Sequence, residues 1–150
     1  MNEAVQKWRL VGNVYVWRYK GHTRNYEGWH MTADRAACTS LLELLALMTS
    51  SDYSAKVRVE LTMPGPMQLG IPNAALKHRP AKEIQISYAP RKMNADHWHL
   101  VESKDALFLE VGRAMLCELR RGITDVSRNQ GDYCIGPDGE ELWFWPGCED

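Results

Sequence analysis

Lys56-Val57-Arg58-Val59-Glu60-Leu61-Thr62-Met63 (residues 56–63) decides how the chain folds. Val57, Val59, Leu61 and Met63 alternate with Lys56, Arg58, Glu60 and Thr62. A period of two marks a strand with one face in the core and the other in water. One-sided burial demands a cover, and the preceding stretch supplies it. From about 33 to 49, Ala37, Leu41, Leu44, Leu45 and Met48 recur at helical spacing, widened by Cys38, Leu42 and Ala46. This apolar stripe is broad enough to lie flat on a sheet. Thr32 is expected to cap that helix, with Asp34 in its first turn where the macrodipole favours an anion.

Toward the amino end, Trp8 to Lys20 reads as a strand. Val14 and Val16 point one way, and Tyr15, Trp17 and Tyr19 the other. Residues 21–25 make a loop of hairpin length, and Tyr26 to Met31 a short return weakened by Gly28. In the other direction, 64–82 forms a long linker carrying Pro64, Pro66, Pro72 and Pro80. A connection longer than about 12–15 residues in a compact domain is often functional or mobile. Glu83 to Ala89 is a further strand. His97 to Glu102 and Ala106 to Val111 read as two arms of a hairpin.

A second helix runs from 112 to about 128, with Met115, Leu116, Leu119, Ile123 and Val126 as its stripe. Gly122 lowers its stability by about 1 kcal/mol relative to Ala, so a bend or an early end is expected there. Pro137-Asp138-Gly139 is turn chemistry. Leu142-Trp143-Phe144-Trp145 follows as a last aromatic strand, which Pro146 ends.

Strands follow one another instead of alternating with helices, which predicts an α+β fold. The expectation is one mostly antiparallel sheet of five to seven strands, with helices 33–49 and 112–128 on one face. The expected core is Val14, Val16, Ala37, Leu41, Leu44, Leu45, Met48, Val57, Val59, Leu61, Ile84, Ile86, Leu107, Leu109, Met115, Leu116, Leu119 and Ile123. At 150 residues the chain reads as a single domain spanning 1–150. That size folds without a metal or disulfide.

A formal charge of −1 argues against a nucleic-acid partner. No run of 18 or more apolar residues exists, so no membrane span is expected. Lys7, Arg9, Arg18 and Lys20 interrupt the first twenty residues, which therefore do not read as a secretory signal, and a cytoplasmic location is expected. Cys38, Cys117, Cys134 and Cys148 form no C-x-x-C pair. Cys38 and Cys117 fall in apolar helical runs and are expected to be buried. Glycine-rich phosphate loops and a G-x-S-x-G elbow are absent, and no cofactor is expected.

Two groups of residues suggest a site. In Asp96-His97-Trp98-His99, a strand places His97 and His99 on one face, where two imidazoles chelate a metal if Asp96, Glu102 or His30 joins them. The plainer reading is a pair of edge-strand histidines. The second group is Tyr15, Trp17 and Tyr19 opposite Val14 and Val16, joined by Arg18 and by Trp143 and Trp145. Tyr, Trp and Arg are enriched at interface hot spots. If the two helices cover one face of the sheet, these rings decorate the other; the linker 64–82 is the alternative cover. Glu140 and Glu141, adjacent on a strand, point to opposite faces and are expected to be solvated.

The tail Gly-Asp-Tyr-Cys-Ile-Gly-Pro-Asp-Gly-Glu-Glu-Leu-Trp-Phe-Trp (131–145), with Gly28 to Leu45, resembles a small bacterial family of single-domain proteins with no activity attached to the pattern. The resemblance implies a bacterial single-domain protein and carries over no functional residue. The expected function is a non-catalytic binding protein of the bacterial cytoplasm, of the immunity type. It recognises a protein partner, or a second copy of itself, through the aromatic face. The alternative is a small metal-assisted enzyme using His97 and His99.

Overall fold

The computed structural model describes residues 3–19, 28–69, 78–130 and 133–146. The elements run α1 (Glu3–Lys7), β1 (Val14–Tyr19), β2 (Trp29–Ala33), α2 (Arg35–Thr49), β3 (Ala55–Glu60), α3 (Pro66–Leu69) and β4 (His78–Pro80). They continue as β5 (Glu83–Tyr88), β6 (Trp98–Ser103), β7 (Ala106–Val111), α4 (Arg113–Ser127), β8 (Tyr133–Ile135) and β9 (Leu142–Phe144). The α+β class and the mainly antiparallel pairing are as the sequence predicts. The predicted loop 21–25, the start of the return strand and part of the proline-rich linker (70–77) lie outside the described residues.

The strands divide between two sheets instead of forming one layer. One sheet has the order β4-β1-β2-β9-β8, the other β3-β5-β7-β6. The division comes from a corner inside the predicted linker. β4 and β5 are separated only by Ala81 and Lys82. There Ala81 N donates to Val16 O of the first sheet (3.0 Å), while Lys82 O accepts from Leu61 N just beyond β3 (2.9 Å). One stretch of chain thus leaves one sheet and enters the other, the way sheets are joined at corners. Pro80 has no N–H for a ladder at that point. Two pairings are parallel, β2 with β9 and β5 with β7. The second arises because β7 inserts between β5 and β6, the strands that precede it.

The helix boundaries shift for local reasons. Asp34, not Thr32, caps α2: its Oδ1 accepts from Ala37 N (2.9 Å) and its Oδ2 from Asn13 N (2.9 Å). One carboxylate therefore fixes both the helix start and the entry to β1, and Thr32 stays in β2. The predicted strand from Trp8 begins only at Val14. Trp8 turns its indole toward α2, where Nε1 donates to Ser40 O (2.8 Å).

α4 runs through Gly122 to Ser127 without ending early. A Cβ there would meet the Phe144 ring at 2.9 Å, so the glycine is the space that seats Phe144, which is fully buried. The helix loses propensity at this position but gains room for the Phe144 ring of β9.

α2 and α4 pack on each other, and α4 on β8 and β9. The predicted core residues are buried except Leu61 and Met115, which are partly buried and packed against it. Side chains from both sheets and both helices meet around an apolar cavity of ≈ 30 Å³ lined by Val16, Met31, Leu45, Ile86, Leu109 and Ile123, among others. The two sheets therefore share one core. Among the described residues no helix is long and apolar enough to cross a membrane.

Candidate functional site

The ladder registers put Pro80, Trp17, His30, Trp143 and Cys134 in one row across the five-stranded sheet. Alternation places Tyr15, Tyr19, Thr32 and Trp145 on the same side, facing away from the helices. The rings stack along this face. Trp17 lies nearly parallel to His30 (centroids 5.8 Å apart, 21°), His30 to Trp145 (5.9 Å, 15°), and Trp145 to Trp143 (6.1 Å, 16°). Tyr19 meets Trp17 edge-on at 6.4 Å and His30 at 5.0 Å. Each such pair adds about 0.5–1.5 kcal/mol beyond area burial.

Hydrogen bonds lock the stack. Trp145 Nε1–H donates to His30 Nδ1 (2.9 Å). An indole is a donor only, so Nδ1 is the acceptor and the neutral imidazole carries its proton on Nε2. Tyr19 OH donates to Leu69 O (2.7 Å). Thr32 Oγ1 donates its one proton to Pro146 O (2.9 Å), with Trp145 O a second, longer acceptor at 3.2 Å. Trp17 Nε1–H, by contrast, is buried and finds no acceptor among the described residues.

The aromatic group predicted from sequence is thus brought together, with two corrections. Trp17 is not on an open surface: it is 1 % exposed and forms the floor of the stack with His30, also 1 %. Tyr15, Tyr19, Trp143 and Trp145 are half-buried and form its accessible rim. Arg18 belongs to the opposite face, where its guanidinium lies 5.5 Å over the ring of Trp29. His30 is the member that sequence reasoning placed elsewhere, as an accessory metal ligand. The signal for it was the alternation of His30 and Thr32 with buried Trp29, Met31 and Ala33.

His97 and His99 do not converge on a common ligand position. His97 Nε2 lies 3.1 Å from Glu110 Oε1, and His99 Nδ1 2.7 Å from Glu140 Oε1. Among the described residues no group of three or more His, Cys, Asp or Glu is disposed to hold a metal ion. Glu140 is also not the solvated charge expected. Its carboxylate accepts Leu100 N (3.0 Å), and its carbonyl accepts Trp98 Nε1 (2.8 Å). The turn between β8 and β9 therefore covers the free edge of β6, which would otherwise offer unpaired N–H groups.

Cys38 and Cys134 are poor nucleophiles. Burial, with Asp34 nearby, pushes Cys38 up to about 11. Burial, with Glu141 nearby, does the same to Cys134, also to about 11. A thiol held neutral lacks the reactive thiolate. Cys117 is exposed on the outer side of α4, not buried as its apolar neighbours suggested. Tyr133 donates to the Glu118 carboxylate, and burial together with that bond pushes its phenol up to about 12.

No protein family, curated protein or solved structure matches the chain.

Proposed function

We propose that the chain is a non-catalytic binding protein that recognises a protein partner through the aromatic face of its five-stranded sheet. The observation that carries this reading is the gradient along the ring stack: buried and interlocked at Trp17 and His30, half-exposed at Trp143 and Trp145. Large rings fixed before binding lose little conformational freedom on contact, which is why Trp and Tyr dominate binding hot spots. The raised thiols of Cys38 and Cys134 and the separate pairing of His97 and His99 support a binding role over a catalytic one. An immunity-type module of the bacterial cytoplasm, which neutralises its partner by covering it, is the biological setting we propose.

Photo-crosslinking from position 143 in the native host, followed by purification of the captured protein, tests the reading. The purified partner should bind the wild-type chain saturably. Trp143→Ala with Trp145→Ala should weaken it by about tenfold or more, since two hot-spot rings contribute over 1 kcal/mol each. Val101→Ala, on the outer face of the other sheet, should leave affinity unchanged. Equal binding by the double variant overturns the proposal. A concentration-dependent dimer in light scattering that the double variant abolishes would assign the face to self-association instead.

A further inference from the structure

We infer that the outer side of α4 is a second docking surface, whose occupant is an acidic helix of a protein partner with Asp or Glu repeated every seven or eight residues. This surface is separate from the aromatic face. α4 seats the Phe144 ring at Gly122, and Phe144 alternates with Trp143 and Trp145 along the chain. The helix and the rings therefore lie on opposite sides of the five-stranded sheet.

Helical spacing builds the surface. Arg113, Cys117, Arg120, Arg121, Thr124 and Arg128 stand at i, i+4, i+7, i+8, i+11 and i+15, a stripe about 100° wide. Leu116, Leu119, Ile123 and Val126 take the buried side. All four arginines are exposed. Arg120, Arg121 and Arg128 stand around a groove of ≈ 360 Å³ lined also by Cys117, Thr124 and Asp125. Folding does not account for this charge. Among the described residues, Arg113 lies 3.4 Å from Asp52 and Arg121 3.5 Å from Glu118, while Arg120 and Arg128 enter no ion pair. Long, exposed pairs of this kind contribute little. Arg113 also stands in the first turn, where the helix dipole favours an anion and α4 has none. The other long helix, α2, carries only Arg35 and Glu43 along its whole length.

The layout of the stripe specifies the occupant. Cys117 and Thr124, one heptad apart, make a seam of small side chains between two rows, Arg113 with Arg120 and Arg121 with Arg128. Helices lying side by side meet along such a seam and choose partners by the charges that flank it. Along the axis, Arg113 to Arg120 spans about 10.5 Å and Arg120 to Arg128 about 12 Å, the spacing of acids seven or eight residues apart on a second helix. A guanidinium fork receives a carboxylate through two parallel hydrogen bonds. A phosphate backbone suits the groove less well. Asp125 lines it and Glu118 borders it, and both repel a uniform polyanion. A protein helix can set a Lys or Arg opposite these two acids, which nucleic acid cannot.

The test is an NMR titration of the ¹⁵N-labelled full chain with a capped, alanine-rich helical peptide of about 20 residues bearing Glu at heptad spacing. The comparisons are the same peptide with Gln for Glu, and a single-stranded oligothymidylate of equal charge. Saturable binding of the Glu peptide alone is expected, with amide shifts centred on Cys117 and Thr124 that shrink as salt rises. Arg120→Gln with Arg128→Gln should weaken it roughly three- to tenfold, the worth of two exposed ion pairs. Lys56→Gln with Lys92→Gln changes the net charge equally and should leave it unchanged. Arg120→Glu with Arg128→Glu should reject the Glu peptide and accept one carrying Lys in its place, a rescue that a misfolded chain cannot give. No binding of the Glu peptide, or equal binding of the Gln peptide, overturns the inference. So does undiminished binding by the Arg-to-Gln pair. Tighter binding of oligothymidylate overturns it in favour of a nucleic-acid surface.

Discussion

On the four-stranded sheet, the row turned away from the helices is Arg58, Gln85, Phe108 and Val101; on the five-stranded sheet it is Pro80, Trp17, His30, Trp143 and Cys134. The first row is a solvated surface. Arg58 pairs with Glu83 across the sheet (2.9 Å), and Val101 is 43 % exposed. The second row is a lattice of rings, with two members 1 % exposed. Both sheets spend one face on the same core, so the core does not explain the difference. The outer face of the five-stranded sheet is thus packed like a second small core at Trp17 and His30, with half-buried rings at its rim, and that rim is the surface on which the proposed binding role rests.

The largest test of this contrast is a pair of truncations at matched positions. Trp17→Ala should destabilise the chain by about 3–5 kcal/mol, as burial of a large ring implies. Val101→Ala should stay within about 0.5 kcal/mol, as for an exposed site. Urea denaturation of both reads the difference. Equal costs would mean that the ring stack is no more structural than the polar face.

Next in size is Gly122→Ala, which probes the helix-facing side of the five-stranded sheet. Helix propensity alone predicts a gain of about 1 kcal/mol. The contact with the Phe144 ring at 2.9 Å predicts the opposite, an overpacking loss of about 1–3 kcal/mol. The sign of the measured change in the urea midpoint decides between them.

A smaller effect is expected where the two sheets meet at the β6 edge. Glu140→Ala removes the acceptor of Leu100 N and one partner of His99. The site is half-open to water, so the loss should be about 1 kcal/mol, with faster amide exchange at Leu100. Unchanged exchange there would show that the turn does not guard the edge.

The least energetic test is titration at high pH. Tyr133 rises from 10.0 to about 12, and Cys38 and Cys134 from 9.0 to about 11. Each group holds its proton more tightly folded than unfolded. Their stabilising contribution is therefore full below pH 9 to 10 and is lost as pH climbs through about 11 to 12. Absorbance of tyrosinate should show one phenol titrating near 12, and Tyr133→Phe should remove that step and flatten the decline in stability. A phenol set titrating uniformly near 10 would contradict the Tyr133–Glu118 pairing.

Legibility followed the polarity of the second face. β3 and β5 alternate apolar with polar or charged residues, so periodicity found their type and their buried side, although β3 ends at Glu60 and Met63, expected inside, is exposed. β1 alternates Val14 and Val16 with Tyr15, Trp17 and Tyr19, and every one of these is apolar enough to be inside. Period two located the strand and its two faces, but hydrophobicity could not tell which rings see water. β8, at three residues, was too short to give a period, and Cys117 lies among apolar residues yet points outward. His30 and Glu140 were assigned other roles because their own rest on partners 115 and 40 positions away, Trp145 and Leu100.

By itself the sequence determined the class of fold, the two long helices, the core residues and the gathering of aromatic side chains near both ends of the chain. These follow from local periodicity and composition, which each short segment carries within it. Tertiary structure alone decided the split into two sheets, the parallel pairings, the burial of Trp17 and the union of β1, β2 and β9 rings into one stack. Those depend on which strands lie side by side, a choice made by long-range burial and hydrogen bonding that no segment encodes alone.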